Sequence, residues 1–411
     1  MNPLENRLIA PAVAAVLILL SSSLHSRTWT SADGVKTFEG ELQSYDAASG
    51  KVSVILPNHK RITFKQEKLS ADDIAWLEKN GNRPAGKATE VKELPDELPD
   101  PDGKEADMSK PVQVYILLGQ SNMIGFGKPS KLQGIAAEKY PYLVDDADEW
   151  TVRRDVRNVF VMCSGNSPAK DHKNEWMTIS GNIGPEIGIG HHVGHVTDAP
   201  VLILKSCIGN RSLGWDLLPP GSKPYEHGGK TQPGYRGTPD EPDGDTGGDM
   251  SKGWYAGCQY DGDVAAAKKA LENLDDYYPG AKDYEVAGFF WWQGDKDMRN
   301  AAHFEKYEEN LIQLIKSLRK DFDAPGARFV TASLGQTQKG SKGGDGKILD
   351  AMEAVAKSND PELEDKVAFV YTHPLSKGGS SSGHYGGNPE TYMNVGEAMG
   401  KAMVELLQQD R

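Results

Sequence analysis

Five apolar runs recur along the last three hundred residues of the chain. They are VQVYILL (112–118), VLILK (201–205), VAGFFW (286–291), FVTAS (329–333) and VAFVY (367–371). Runs that are continuously apolar, rather than alternating with polar residues, are typical of strands buried on both faces. The pattern therefore predicts a parallel sheet with both faces covered.

Helical patterns lie between these runs. The clearest spans 303–320, where one face carries Phe304, Tyr307, Leu311, Leu314 and Leu318. A final helix should begin after Asn388 as its cap, with Pro389 at the first helical position and an apolar stripe formed by Val395, Met399, Met403 and Leu406. Strands alternating with helices predict a three-layer α/β domain over residues 111–411.

Residues 27–80 have a different pattern. FEGELQSY, KVSVIL and RITF are short strand-like runs, separated by the turn-like sequences AASG and PNHK. Ser70 should cap a short helix that follows them. The segment resembles the Sla-one homology region, a small β-barrel module of secreted bacterial proteins. That resemblance implies a module that attaches the chain to a protein or a surface.

The remaining two segments predict export and a linker. Residues 1–26 place an apolar run, Leu8–Leu20, after Arg7 and before small residues. The run is shorter than the ~20 residues that span a bilayer, so it predicts a cleaved signal peptide and a secreted, periplasmic or cell-surface protein. An uncleaved membrane anchor is the alternative. Residues 81–110 are acidic and rich in proline, which predicts a solvated linker.

Charge and cysteine content exclude several classes of protein. The 411 residues carry a net charge of −13 without a cluster of Lys and Arg, so neither a nucleic-acid partner nor an anionic membrane surface is expected. The three cysteines have no CxxC spacing and should be small buried residues. His191, His192 and His195 have a spacing that could bind a metal, but without an accompanying Glu we expect a helix surface, no metal and no cofactor.

Residues suited to acyl transfer follow the predicted strands. In an open α/β sheet, ligands bind at the carboxyl ends of the strands. Those ends carry Ser121 in GQSNM, Gly209 and Asn210 in SCIGNRSLGW, Gln293, Asp295 and Asp297 in WWQGDKD, and His373 and His384 in the last loop. We predict that Ser121 is a nucleophile and that His384 is the base that takes its proton.

Several residues remain candidates for the other two roles. The oxyanion of a tetrahedral intermediate could be bound by the N–H groups of Ser121 and Gly209 and by a side-chain amide, from Gln293 or Asn210. Asn122 could equally fix the turn. The acid that orients His384 could be Asp295, Asp297 or a backbone carbonyl.

These motifs, taken in order over residues 111–408, resemble the SGNH hydrolase superfamily, in its sialate O-acetylesterase and carbohydrate acetylesterase branch. The resemblance implies a flavodoxin-like sheet and metal-free ester hydrolysis, with Ser121 as nucleophile, Gly209 and Gln293 as oxyanion donors and His384 as base. Two positions depart from the family pattern. Ser381 stands where an Asp usually precedes the His by three residues, and Asp295 stands where a Glu is common.

Two further stretches of the sequence bear on function. Residues 219–253 lack periodicity and predict a long loop, either a functional lid or a mobile insertion. The sequence GSSSG (379–383) matches a nucleophile elbow only by chance, since no strand precedes it.

The sequence thus favours a secreted serine esterase acting on an acetylated carbohydrate. The alternatives are a catalytically weak or inactive carbohydrate-binding protein on the same fold, suggested by Ser381, and a surface scaffold in which the N-terminal module dominates.

Overall fold

The structure is a computed structural model that describes residues 27–47, 49–56, 61–80, 91–101 and 103–409. The predicted signal peptide, residues 1–26, lies outside the described residues. The chain divides into two compact units, Met1–Ala85 and Gly86–Arg411.

The first unit is a four-stranded antiparallel sheet followed by a helix. Its elements are β1 (Arg27–Thr30), β2 (Thr37–Asp46), β3 (Lys51–Ile55), β4 (Arg61–Lys65) and α1 (Ala71–Asn80), with the strands in sequence order. The Ala32 N–H donates to Lys68 O and the Ser70 N–H donates to Thr30 O, both over 2.9 Å. These bonds bring the chain after β4 beside the end of β1, where Ser31 and Leu69 form an isolated antiparallel bridge.

The interior of this unit is small and apolar. Its buried apolar side chains are Trp29, Val52, Val54, Leu69 and Leu77, and Ser53 and Asp73 are buried beside them. Ser70 caps α1 as predicted, since its Oγ accepts the Asp73 N–H over 3.2 Å.

The second unit contains a seven-stranded sheet, a short hairpin and nine helices within the described residues. The strands are β5 (Val112–Gly119), β6 (Arg153–Met162), β7 (Lys170–Met177), β8 (Val201–Ser206), β9 (Tyr225–His227), β10 (Lys230–Gln232), β11 (Tyr284–Trp292), β12 (Arg328–Ala332) and β13 (Val367–Val370). The helices are α2 (Ser121–Ile124), α3 (Pro129–Lys139), α4 (Glu186–His195), α5 (Cys258–Glu272), α6 (Leu274–Tyr277), α7 (Ala301–Glu305), α8 (Tyr307–Asp321), α9 (Gly344–Ala356) and α10 (Pro389–Gln408).

The sheet order confirms the predicted fold class. The strands run β13-β12-β11-β5-β8-β6-β7, and every neighbouring pair is parallel except β6 with β7. The five predicted strands, β5, β8, β11, β12 and β13, therefore have the flavodoxin-like order 2-1-3-4-5. The order reverses beside β5, and this is where such sheets bind ligands.

Strands β6 and β7 were missed by the sequence pattern. Both carry many charged residues, which hides the apolar positions of β6. In the structure Arg153 and Asp155 are buried together, with Nη2 and Oδ2 at 2.6 Å, so the charges of β6 are paired inside the unit. The β6–β7 pair extends the sheet at the β8 edge.

Helices cover both faces of the sheet. Helices α5, α8 and α9 pack on one face, and α3, α4 and α10 pack on the other. The predicted cap of the last helix is confirmed, since Asn388 Oδ1 accepts the Glu390 N–H over 2.9 Å.

The expectation that the histidines of α4 lie on a helix surface is wrong for two of them. His191 and His192 are buried, and the ring of His191 lies 4.7 Å from that of Tyr142. Burial lowers the pKa of His192 to about 4, so its ring is neutral near pH 7. No group of three potential metal ligands occurs among the residues that the structure describes.

Part of the segment expected to be a solvated linker belongs to the second unit. Leu94 and Leu98 pack against its core. Lys104 Nζ donates to the carbonyls of Gly194 (2.5 Å) and Thr197 (2.8 Å). The apolar residues spaced between the acidic ones make this contact possible. Over the described ranges, no helix has the length and apolar character needed to cross a membrane.

Candidate active site

Ser121 lies at the first position of α2, two residues after β5 ends. The turn depends on glycine at position 119, where φ is +145° and a Cβ would lie 2.5 Å from Trp292 O. Strands β5 and β11 thus approach closely at this edge, and only glycine permits it. Ser121 is mostly buried, with 9% of its surface exposed.

Gly209 lies beside Ser121. A Cβ built on Gly209 would be 3.5 Å from the Ser121 Cβ, so the loop after β8 faces the turn at Ser121 directly. Among the described residues, no backbone hydrogen bond uses the N–H of Ser121 or of Gly209. Both groups can therefore donate to a bound oxygen. Asn210, the next residue, is exposed and has a φ of 57°.

Gln293 lies close to Ser121 but its amide already has several partners. Its Nε2 contacts Asp297 Oδ2 (2.5 Å), Arg211 O (2.8 Å) and Gln120 Oε1 (3.2 Å), and its Oε1 accepts the Tyr307 hydroxyl over 2.9 Å. An amide nitrogen has two hydrogens to share among these three acceptors. Gln293 is thus held next to Gln120, the residue that precedes Ser121.

Asp297 is the residue that holds Gln293 in place. It is fully buried, and its carboxylate also accepts the N–H groups of Leu213 (2.9 Å) and Gly214 (2.8 Å). Burial raises the pKa of Asp297 to about 6, although these hydrogen bonds act in the opposite direction. Asp297 therefore joins the loops after β8 and β11, and it is not bonded to the loop that carries His384.

His384 lies in a loop with an unusual backbone. His384, Tyr385, Gly386 and Gly387 all have positive φ values, between 49° and 68°. This conformation is costly for His and Tyr, by about 1–3 kcal/mol each, and must be held by its surroundings. Tyr385 supplies that support because its ring is buried against Trp292 at 5.8 Å and its hydroxyl accepts the Gly335 N–H over 3.1 Å.

The imidazole of His384 stacks on Phe126, with ring centroids 4.0 Å apart and planes at 7°. Phe126 lies two residues after the end of α2, so the last loop and the turn at Ser121 are neighbours. Within the described residues, no hydrogen bond joins the His384 ring to the Ser121 hydroxyl. Catalytic hydrogen bonds are often long before substrate is bound and tighten only in the complex.

Asp295 meets the loop of His384 at Ser381 and Ser382. Its Oδ1 accepts the hydroxyls of Ser381 (2.7 Å) and Ser382 (2.8 Å), and its Oδ2 lies 3.1 Å from Arg299 Nη2. A carboxylate from the end of β11 thus lies against residue 381. Of the two candidate acids, Asp295 contacts this loop and Asp297 does not.

A buried ion pair lies behind the turn at Ser121, and the sequence pattern did not predict it. Lys205 Nζ lies 2.6 Å from Glu186 Oε2 and donates to Ile124 O, the last residue of α2, over 2.8 Å. Both side chains are buried. The sequence contained a signal for this pair, since Lys205 ends an otherwise apolar strand and Glu186 begins an apolar helix.

The last candidate, His373, bonds a backbone carbonyl. His373 lies at the start of the last loop, and its Nδ1 is 2.9 Å from Gly335 O.

The three cysteines are free and buried, as predicted.

The comparison with protein families supports the predicted family resemblance. Residues 244–405 match the model of a family described as carbohydrate esterase, sialic acid-specific acetylesterase. The matched range includes Gln293, Asp295 and His384. The predicted resemblance to the carbohydrate acetylesterase branch is thereby confirmed for this part of the chain. The comparison with curated proteins found no match.

Solved structures similar to this chain include a protein from Arabidopsis thaliana, with a TM-score of 0.42 and 16% identity, covering 72% of this chain and 98% of that one. A carbohydrate acetylesterase from Xanthomonas citri has a TM-score of 0.41 and 15% identity, covering 71% of this chain and 55% of that one. NanS has a TM-score of 0.34 and 14% identity, covering 64% and 78%.

Proposed function

We propose that this protein is a serine esterase that removes O-acetyl groups from a carbohydrate. The observation that carries the proposal is the meeting of three strand ends around Ser121. Gly209 from the loop after β8 contacts the serine, Gln293 after β11 bonds its neighbour Gln120, and Phe126 joins it to the His384 loop.

In the first half of the reaction, Ser121 Oγ attacks the carbonyl carbon of the acetyl ester and His384 takes the hydroxyl proton. The carbonyl oxygen becomes an oxyanion, which the N–H groups of Ser121 and Gly209 stabilise. The C–O bond to the sugar then breaks, and His384 returns the proton to the departing sugar oxygen. In the second half, water repeats these steps and releases acetate.

We assign the third member of the triad to Asp295. Its carboxylate is bonded to Ser381 and Ser382, next to His384 in the chain, and can stabilise the imidazolium that forms during attack. Asp297 has a different role in this proposal. It keeps the Gln293 amide beside Gln120, so that the nucleophile turn and the oxyanion site have one geometry.

The oxyanion amide is assigned to Gln293 rather than to Asn210. Gln293 is buried beside the nucleophile turn, whereas the Asn210 side chain is exposed. To donate to an oxyanion, Gln293 must exchange one of its present acceptors, and Gln120 Oε1, at 3.2 Å, is the most distant of the three.

The proposal is tested with Ser121→Ala. The purified protein should hydrolyse 4-nitrophenyl acetate and acetylated glycans, and should form one covalent adduct with a fluorophosphonate. Ser121→Ala should lose the adduct and at least about 10³-fold in kcat, because the serine is the group that becomes acylated. Unchanged hydrolysis in the variant would overturn the assignment. Glycan binding without hydrolysis or adduct in the wild type would instead support the non-catalytic alternative.

We further propose that the protein acts after export and that the first unit attaches it to a protein or a surface. The apolar run Leu8–Leu20 supports export, and the four-stranded antiparallel sheet, which belongs to its own compact unit, supports a separate module. Intact mass of the protein recovered from outside the cytoplasm would test the first point, because cleavage should remove about 26 residues.

A further inference from the structure

Residues 219–253, for which the sequence suggested either a lid or a mobile insertion, form an anchored segment in the structure. Strands β9 and β10 pair as an antiparallel hairpin. Tyr225 Oη donates to Ala302 O over 2.6 Å, Gln313 Nε2 donates to Pro220 O over 2.6 Å, and the Arg236 N–H donates to Ala256 O over 2.8 Å. These bonds fasten the segment to α7 and α8 and to the residues before α5.

An open cleft of about 570 Å³ lies between this segment, the loop after β8 and α7. Its lining combines flat apolar groups with polar groups and is formed by Trp215, Lys230, Thr231, Gln232, Pro233, Pro239, Pro242 and His303. The Trp215 side chain is only half-buried, so part of its ring is open to the cleft. A pyranose has the matching chemistry, because its C–H faces are apolar and its rim carries hydroxyl groups.

The cleft is connected to the proposed catalytic residues by short contacts. His303, in its wall, has Nδ1 3.6 Å from Asp297 Oδ1, and Asp297 holds Gln293. Gln293 in turn bonds Gln120, the residue before Ser121. Trp215 belongs to the same loop as Gly209. The cleft and the serine therefore lie at the same carboxyl edge of the sheet.

The charge of the cleft favours a polar ligand. Burial lowers the pKa of His303 to about 4, so its imidazole is neutral near pH 7. Lys230 carries the ammonium among the lining residues and is exposed. Hydroxyl groups can accept from Lys230 and can bond to the amide of Gln232.

We propose that this cleft is a subsite for a further sugar ring of the glycan whose acetyl group is removed at Ser121. The substrate is then an acetylated oligosaccharide or polysaccharide, and an acetylated monosaccharide fills only the catalytic part of the site. Trp215 stacks on the additional ring, and Lys230 and Gln232 bind its hydroxyls. This inference rests on the proposed function and adds the size of its substrate.

The test compares kcat/KM for partially acetylated xylo-, manno-, galacturono- and sialyl-oligosaccharides with kcat/KM for the acetylated methyl glycoside of each sugar. For at least one pair, we expect the wild type to prefer the oligosaccharide by about tenfold or more. Trp215→Ala should bring this ratio close to one, mainly through KM, and Trp215→Phe should retain most of it. Lys230→Ala should lower the ratio.

Lys252→Ala is the matched control, because Lys252 is an exposed lysine of the same segment that does not line the cleft. Its ratio should equal that of the wild type. The inference is overturned if no pair shows the preference, or if the preference survives in Trp215→Ala. Should Trp215→Ala fail to fold, Gln232→Ala replaces it and should lower the ratio in the same direction.

Failure of the subsite and failure of the proposed function give different results. If the wild type hydrolyses 4-nitrophenyl acetate but prefers no oligosaccharide, the subsite is refuted and the proposed esterase function stands. If no ester is hydrolysed, titration calorimetry of Ser121→Ala with the unacetylated oligosaccharides still tests the cleft. Binding that Trp215→Ala removes supports the subsite, and absence of binding overturns it.

Discussion

Asp295→Asn is the substitution that tests the assignment of the third catalytic residue most directly. Asparagine keeps the size of the side chain but removes the charge that would stabilise a protonated His384. Neutralising the orienting Asp of another serine hydrolase lowers kcat by about 10⁴. Because no direct bond joins Asp295 to His384 here, we expect a loss of about 10²–10⁴ in kcat, with little change in KM.

The structural cost of this substitution should be small by comparison. Asp295 accepts two serine hydroxyls, at 2.7 and 2.8 Å, and a hydroxyl can rotate to accept from the new amide instead. The salt bridge to Arg299, whose side chain is 60% exposed, adds little because solvent screens it. We therefore expect the free energy of unfolding to fall by about 1 kcal/mol.

The assay has two readouts, kcat with 4-nitrophenyl acetate and the rate at which a fluorophosphonate labels Ser121. A rescue variant makes the test specific. Ser381 Oγ lies 2.7 Å from the carboxylate, so combining Asp295→Ser with Ser381→Asp moves the charge by only a short distance. The double variant should have a kcat at least about tenfold higher than that of Asp295→Ser alone. Unchanged kcat and labelling in Asp295→Asn would refute the assignment.

Three further predictions concern the support of the site. Asp297→Asn should lower the free energy of unfolding by about 2–3 kcal/mol, measured by urea unfolding, because a new N–H would face the Leu213 and Gly214 N–H donors. Since the folded pKa of Asp297, about 6, lies above its ordinary value of 3.8, the folded state holds this proton more tightly. Wild-type stability relative to Asp297→Asn should thus increase as pH falls through about 6 towards 4, by about 1.4 kcal/mol per pH unit, and a constant difference would contradict this. Lys205→Met should cost about 3–5 kcal/mol by leaving Glu186 buried and unpaired, and adding Glu186→Gln should recover part of that loss in the same urea measurement.

The sequence alone determined the elements whose residues show one consistent pattern. The five strands of the flavodoxin-like core are continuously apolar because both their faces are covered, and α10 begins where Asn388 and Pro389 predict it. The candidate residues follow from the same pattern, because the carboxyl ends of parallel strands meet at one edge. The candidates Ser121, Gly209 and Gln293 could therefore be placed at one edge of the sheet without coordinates.

Only the tertiary structure decided what depends on pairing between distant segments. Strand β6 escaped prediction because its charges are paired after folding, and the buried state of Lys205 depends on Glu186, nineteen residues away. The choice between Asp295 and Asp297 is of the same kind. Both carboxylates follow β11, two residues apart, but one faces the His384 loop and the other faces Gln293. Which partner each side chain meets is set by packing across the sheet, and a periodic pattern along one chain contains no such information.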